Sequence, residues 1–474
     1  MKKQHIQKLA IVFVCILCFG MGLGVSKIAN TESSNSSEWD KLKTVYSILT
    51  TKWYYANQID DLDSELVEQA ILGMTTLEED AHTNYMTLKN AEAFSSTLEG
   101  SSIGIGFSYY LNEDGNMTIS SVFINSPADQ AGLQKGDIVL SVGDLSCIED
   151  GCEEIISLIQ SSEGKDLEIC FIRDEKEVHT SVSPSSYDST VTLQLEDDYA
   201  IIELNSFSEY SAVEFNEALQ RMKETGISNL ILDLRDNGGG YLSSVSDIGA
   251  CLLPTGSTIF IENLADGSSK EQKVSNTYSQ TELDSIVILQ NEDTASASEV
   301  LIGALKDYLG DKVTTVGQTT YGKGTEQTSI AFNDGTSMKY TIAEWLTPNG
   351  TSINLEGFKP DIEVEECDVQ TVLYREMDDD ETIGEDTVHD NASALQTYLQ
   401  FLGYDVDRTD DYFSTTSSNA LKEYQKDHDL EQTGICDKET FEQISEDALL
   451  KLNKEYDSLD YQMLKGIEVL QSNL

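Results

Sequence analysis

Three separated stretches carry the residue types that acyl-transfer chemistry needs when histidine is not used. The first is Asn291-Glu292-Asp293-Thr294-Ala295-Ser296-Ala297-Ser298-Glu299, which follows the apolar run 286–289. It reads as a buried strand, a tight turn and a helix over 300–309, closed at Gly310 by a left-handed cap. The second is Tyr321-Gly322-Lys323-Gly324-Thr325-Glu326-Gln327, a lysine between two glycines after a predicted strand at 313–316. Lys323 and Gln327 are four residues apart and share a face in a strand or a helical turn. The third, Asp233-Leu234-Arg235-Asp236-Asn237-Gly238-Gly239-Gly240, carries a buried strand into three glycines and then a helical stretch, 241–253.

Serine is a weak nucleophile at its own pKa and needs a base beside it. A lysine serves as that base only when neutral, which desolvation by apolar walls favours, and Gln327 is placed to orient the amine without adding charge. The glycine turn allows backbone N–H groups to face a developing oxyanion. It lacks the Gly-Lys-Ser/Thr ending of a P-loop and the Gly-x-Gly-x-x-Gly spacing of a dinucleotide turn. Each stretch also has a plain structural reading: Ser296-x-x-Glu299 before an apolar run is a capping box, and glycines around Lys323 and at 238–240 mark turns. The histidines, His5, His82, His179, His389 and His428, all fall outside the stretch that holds these three motifs, which removes Ser-His-Asp chemistry.

Taken together the three stretches resemble the carboxyl-terminal processing (tail-specific) serine peptidases, which use a Ser-Lys dyad helped by a glutamine. The resemblance implies Ser296 as nucleophile, Lys323 as base and Gln327 as its positioning residue, with Ser298 as the fallback nucleophile. It implies an oxyanion hole from the Ala297 amide and one from Gly239 or Gly240. The serine-to-lysine spacing is a residue or two longer than the family's, placed in the turn at 309–312.

The elements that position these residues follow from the chain in order. Residues 1–30 hold Lys2, Lys3 and Lys8 followed by an uncharged run, 9–25, read as a membrane anchor with a cytoplasmic N-terminus and, in the rival reading, as a cleaved signal sequence. The remainder is expected to be exported. Residues 31–98 begin with a short polar linker and then read mostly helical, with Leu42, Val45, Tyr46 and Leu49 in register. By resemblance this lead serves homodimerisation, and His82 is a turn residue in Asp80-Ala81-His82-Thr83-Asn84-Tyr85-Met86. Residues 99–183 resemble a PDZ domain, from Ala131-Gly132-Leu133 followed by Gly136-Asp137-Ile138-Val139-Leu140. The resemblance makes Ile103-Gly104-Ile105-Gly106-Phe107 the loop that holds a peptide's terminal carboxylate while the next strand edge pairs with the peptide.

Residues 184–366 are the expected peptidase core, an α/β sandwich with crossover connections. An acidic linker, 367–390, includes Asp378-Asp379-Asp380-Glu381 and is expected to be solvated chain. Residues 391–450 resemble a small helical peptidoglycan-binding module, departing from it where glycines are missing near Asp411-Tyr412-Phe413-Ser414. Residues 451–474 are expected to return to the core as a helix, making the module an insertion. The fold class is therefore multidomain α/β, with a β-rich PDZ domain, a helical N-terminal segment and a helical C-terminal module.

A formal charge of −54 speaks against nucleic acid as a partner, since its phosphates would be repelled. The eight cysteines show no Cys-x-x-Cys and no Cys/His cluster, so no metal and no cofactor are expected; Cys147 and Cys152 are close enough in sequence for a bridge. The expected partners are proteins or peptides with exposed C-termini, with peptidoglycan for the module. The functional expectation is an exported, membrane-associated endopeptidase; the alternatives are a non-catalytic PDZ and cell-wall-binding scaffold, or a peptidoglycan hydrolase.

Overall fold

The structure is a computed structural model that describes residues 37–91 and 101–472. It divides into two compact units, Met1–Tyr85 and Met86–Leu474. In the first, helix α1 (Glu38–Thr51) starts at Ser37, whose hydroxyl accepts the Asp40 amide while Asp40 accepts the Ser37 amide. Helix α2 (Leu62–Thr75) follows, so the helical reading of 31–98 holds only as far as Thr75 in this unit. The Asp80 carboxylate accepts the amides of His82 and Thr83, which is a turn, as the sequence led us to expect of His82. The apolar run 9–25 lies outside the described residues; among those described, no helix is long and apolar enough to cross a membrane.

The second unit is mixed α/β. It opens with an antiparallel PDZ-like sheet of β1 (Phe107–Leu111), β2 (Met117–Val122), β3 (Ile138–Val142), β4 (Leu167–Arg173) and β5 (Lys176–Val182), neighbours in that order. Helix α3 (Cys152–Ser161) buries Ile155 and Ile159 against it, in one cluster with Ile119, Val139, Ile169 and Phe171. The described cysteines are all free thiols, Cys147 and Cys152 included, so no bridge forms between that pair.

The central sheet takes β6 (Val191–Leu195), β7 (Ala200–Leu204), β8 (Asn229–Asp233), β10 (Ser285–Gln290), β11 (Val313–Gly317) and β14 (Ile362–Glu363), in that order. Only β6 runs antiparallel to its neighbour. Helices α4 (Ser211–Glu224), α5 (Leu242–Leu252) and α6 (Ala297–Leu309) make the crossovers. A second antiparallel layer pairs β13 (Ser337–Leu346) with β9 (Thr258–Leu264) and β12 (Thr325–Ala331).

The central strands read as unbroken apolar runs because both faces are covered. Ile202, Leu230, Leu232, Ile286 and Ile288 pack with α4, α5 and α6, whereas the alternate residues Ile231, Val287 and Leu289 point to the opposite face. There they meet α10 (Tyr461–Ser472) through Met463, Ile467 and Leu470. Gly466 allows the close approach, since a Cβ there would lie 3.0 Å from Leu289. Between core and α10 come α7 (Ala392–Leu402), α8 (Thr415–Asp427) and the 22-residue α9 (Lys438–Leu459), whose apolar faces form their own cluster. The expected solvated linker, 367–390, is only partly so. Asp378, Asp379 and Asp380 are exposed, but Met377 and Ile383 are buried in that cluster, and Arg375 pairs with Glu381 and Asp390.

Candidate active site

The turn between β10 and α6 holds Ser296 at φ 57°, ψ −114°. An N-cap residue ordinarily takes an extended conformation. A non-glycine residue held at this positive φ costs about 1–3 kcal/mol and persists only where its surroundings over-determine it. Of the capping box foreseen at Ser296 and Glu299, the carboxylate accepts the Ser296 amide but the Ser296 hydroxyl makes no cap hydrogen bond, and a cap alone does not call for that backbone. Ser296 is half-buried. Ser298, by contrast, is fully buried and donates its hydroxyl to the Asn237 carbonyl at 2.9 Å.

What over-determines the turn is Glu299, whose side chain is wholly buried. One carboxylate oxygen accepts the Ser296 amide at 2.8 Å and the Lys323 amide at 2.9 Å. The other accepts the Gly322 amide at 2.8 Å and the Thr320 hydroxyl at 2.6 Å. A single carboxylate thus joins the serine turn to the lysine turn across 27 positions of sequence. Sequence reasoning placed Glu299 in a capping box and missed this second role; nothing in the spacing signals it.

The glycines beside Lys323 do more than mark a turn. A Cβ on Gly322 would lie 2.8 Å from the Gly357 nitrogen, and one on Gly324 would lie 2.5 Å from the Asn354 Cβ, so the backbone passes flush against 354–357. The buried Trp345 donates its indole N–H to the Lys323 carbonyl at 2.9 Å. Burial, chiefly, and then the nearby Lys339 ammonium hold the Lys323 amine below the ordinary lysine range, against a smaller upward pull from Glu299. Among the described residues no carboxylate forms an ion pair with that amine.

Gln327 is not brought onto Lys323. At a register shift between Glu326 and Gln327, which leaves Ile342 of β13 unpaired, Gln327 comes to stand opposite Thr341, and its amide donates to Thr325 at 2.9 Å and Thr341 at 3.3 Å.

The glycine turn closes over the serine. A Cβ on Gly239, at φ 101°, would sit 2.8 Å from the Ser296 Cβ and 2.9 Å from the Ala297 nitrogen. The Gly239 amide itself donates to the Asn237 side chain at 2.9 Å. The Gly240 amide has no protein acceptor among the described residues. Gly240, at φ 147°, lies against the Phe207 carbonyl, where a Cβ would be 2.3 Å away. Ala297 begins α6, so its amide is one of the helix's open donors. The strand below is braced by Arg235, which binds Asp233 at 2.6 Å and Asp460, ahead of α10, at 2.7 Å.

In the PDZ-like sheet the expected carboxylate loop is partly committed. Ile103 and Gly104 lie in a strand (Ser101–Gly104) paired with Ser185–Asp188. The Ile105 carbonyl accepts the Ala128 amide and the Gly106 carbonyl accepts the Phe123 amide. Phe107 begins β1, which stands at the edge of its sheet among the described residues.

Comparison with known proteins agrees with these parts. Residues 198–364 match peptidase family S41, 118–173 a PDZ domain and 388–444 a peptidoglycan binding domain. The "Probable CtpA-like serine protease" of Staphylococcus haemolyticus (strain JCSC1435) is 30% identical over 442 residues, 92% of this chain and 87% of that protein. Its namesake in Staphylococcus epidermidis (strain ATCC 12228 / FDA PCI 1200) is 30% identical over 417 residues, 87% of this chain and 83% of that protein. Among solved structures, a photosystem II D1 C-terminal processing protease aligns with 70% of this chain and 88% of its own, at 22% identity and a TM-score of 0.40.

Proposed function

The chain belongs to peptidase family S41 as a CtpA-like serine protease with a PDZ domain, and from that premise we propose an exported, membrane-anchored endopeptidase that selects proteins by their exposed C-termini. Ser296 is the nucleophile and Lys323 its base. The observation that carries this reading is the Glu299 carboxylate, which accepts the amides of both residues and so fixes one turn against the other.

In the proposed reaction the neutral Lys323 amine takes the Ser296 hydroxyl proton as the oxygen attacks the peptide carbonyl. The Ala297 and Gly240 amides hold the oxyanion. Collapse of the intermediate passes the proton from Lys323 to the leaving amine. Water, deprotonated by the same lysine, then attacks the acyl carbon, and the acyl group leaves as a carboxylate as Lys323 returns the proton to the departing Ser296 oxygen. Gln327 acts on the lysine only after its amide leaves Thr325 and Thr341. The substrate's C-terminal segment pairs with the β1 edge, its carboxylate at residues 103–107. Residues 9–25 anchor the chain, and the 388–444 match supports contact with peptidoglycan.

The test is cleavage of an unfolded reporter with an apolar C-terminal tail by the full chain, Ser296→Ala and Lys323→Ala. Loss of cleavage in both, with unchanged circular dichroism, is the expected result. Cleavage retained by Ser296→Ala and lost in Ser298→Ala would overturn the nucleophile. Equal cleavage by all would overturn the mechanism.

A further inference from the structure

Strands β4 and β5 carry a second constellation, one that the proposed chemistry leaves unused. Across the ladder Cys170 stands opposite His179, with Glu168 opposite Ser181 and Glu177 opposite Ile172. Side chains alternate along a strand, and Ile169 and Phe171 are buried in the PDZ-like core, so Glu168, Cys170, Glu177 and His179 share the outward face. In sequence these are two Glu-x-Cys/His pairs, Glu168-Ile169-Cys170 and Glu177-Val178-His179, which only strand pairing superimposes.

The geometry is directional. His179 Nε2 lies 3.1 Å from Glu177 Oε1 and 3.9 Å from Cys170 Sγ, and ligand atoms of all three residues lie within 4.8 Å of one another. The other ring nitrogen, Nδ1, lies 3.0 Å from Glu168 Oε1. Around a tetrahedral zinc ion, bond lengths of about 2.3 Å to sulfur and about 2.0–2.2 Å to nitrogen and oxygen place neighbouring ligands about 3.4–3.6 Å apart. The observed separations bracket that value. A carboxylate on the far nitrogen of a ligating imidazole is the arrangement that fixes its tautomer and orientation.

We propose that Cys170, Glu177 and His179 form a binding site for a zinc-class divalent cation, oriented by Glu168, on the outer face of the PDZ-like sheet. A thiolate, an imidazole and one carboxylate suit zinc and its neighbours and not calcium or magnesium, which take oxygen ligands. Three protein ligands leave the fourth position open to solvent or to a partner's side chain. The site bridges β4 to β5, the latter an edge strand among the described residues.

A formal charge of −54 attracts cations without specific ligation, so the test separates thiolate ligation from that background. The reduced full chain is titrated with cobalt(II) in excess magnesium, followed by a thiolate-to-cobalt charge-transfer band, and zinc(II) is then added to displace it. One cobalt per chain with that band, abolished by zinc, is expected. Cys170→Ser removes the band, His179→Ala weakens binding at least tenfold, and Glu168→Gln weakens it roughly 10–100-fold. Cys152→Ser leaves all of this unchanged. Cobalt uptake without the band, or Cys170→Ser and His179→Ala binding like wild type, overturns the proposal. Circular dichroism of each variant confirms that the fold is kept.

Discussion

Replacing Glu299 by glutamine isolates the group that joins serine to lysine. The carboxylate accepts four hydrogen bonds, two on each oxygen. Glutamine keeps one accepting oxygen and turns an N–H2 group toward two donors. Each lost bond to a charged group is worth about 1.5–3 kcal/mol, so two amount to roughly 3–6 kcal/mol. That is a large part of the ~5–15 kcal/mol that holds a domain folded, and it lowers Tm by roughly 10 °C or more. The same change acts on Lys323, the proposed base. Glu299 pulls the Lys323 amine upward, so removing its charge is expected to move the acid limb of the pH–rate profile to lower pH, even as kcat/KM falls through misplacement of the proposed dyad. The assays are thermal unfolding by circular dichroism and reporter cleavage across pH. A Tm within ~2 °C of wild type with unchanged kcat/KM would refute the clamp; an acid limb moved to higher pH would refute the electrostatic argument.

Gly239→Ala drives a methyl group into the Ser296 turn at 2.8–2.9 Å from backbone and Cβ atoms, and kcat/KM is expected to fall by about 100-fold or more, read by reporter cleavage. Glu214, buried on α4 and bonded to Thr190, has its carboxyl pushed up to about 7 by burial. A carboxyl raised on folding stabilises fully below the ordinary range near 4.5, and that contribution is lost as pH rises through about 7. Urea unfolding is therefore expected to show stability falling by about 3 kcal/mol over that window, and Glu214→Gln to flatten the fall; an identical pH slope in the variant would count against it. Leu470→Ala, which opens the face covered by α10, is expected to cost about 2–5 kcal/mol in the same assay.

The sequence by itself determined the parts whose information is local. The apolar runs of the central strands, the glycine punctuation and the residue types at Ser296 and Lys323 were legible, because strand burial and turn geometry act over a few neighbouring residues. So was the composition of an enzyme that does without histidine in its core. Tertiary structure decided everything that depends on two distant segments meeting. Glu299 looked like a helix cap and became the bond between two turns only when β10 and β11 paired side by side. Gly239 and Gly240 were equivalent as letters; the Asn237 side chain, by accepting one amide, distinguishes them. Gln327, spaced to share a face with the lysine, is bonded instead to Thr341, which an extra residue on β13 sets opposite it and no periodicity announces. Cys170 and His179 showed no metal-ligand spacing because their proximity runs across a ladder and not along the chain. A hydrogen-bonding or ligating group is defined by the atoms around it, and those atoms come from segments whose separation in sequence carries no trace of their distance in space.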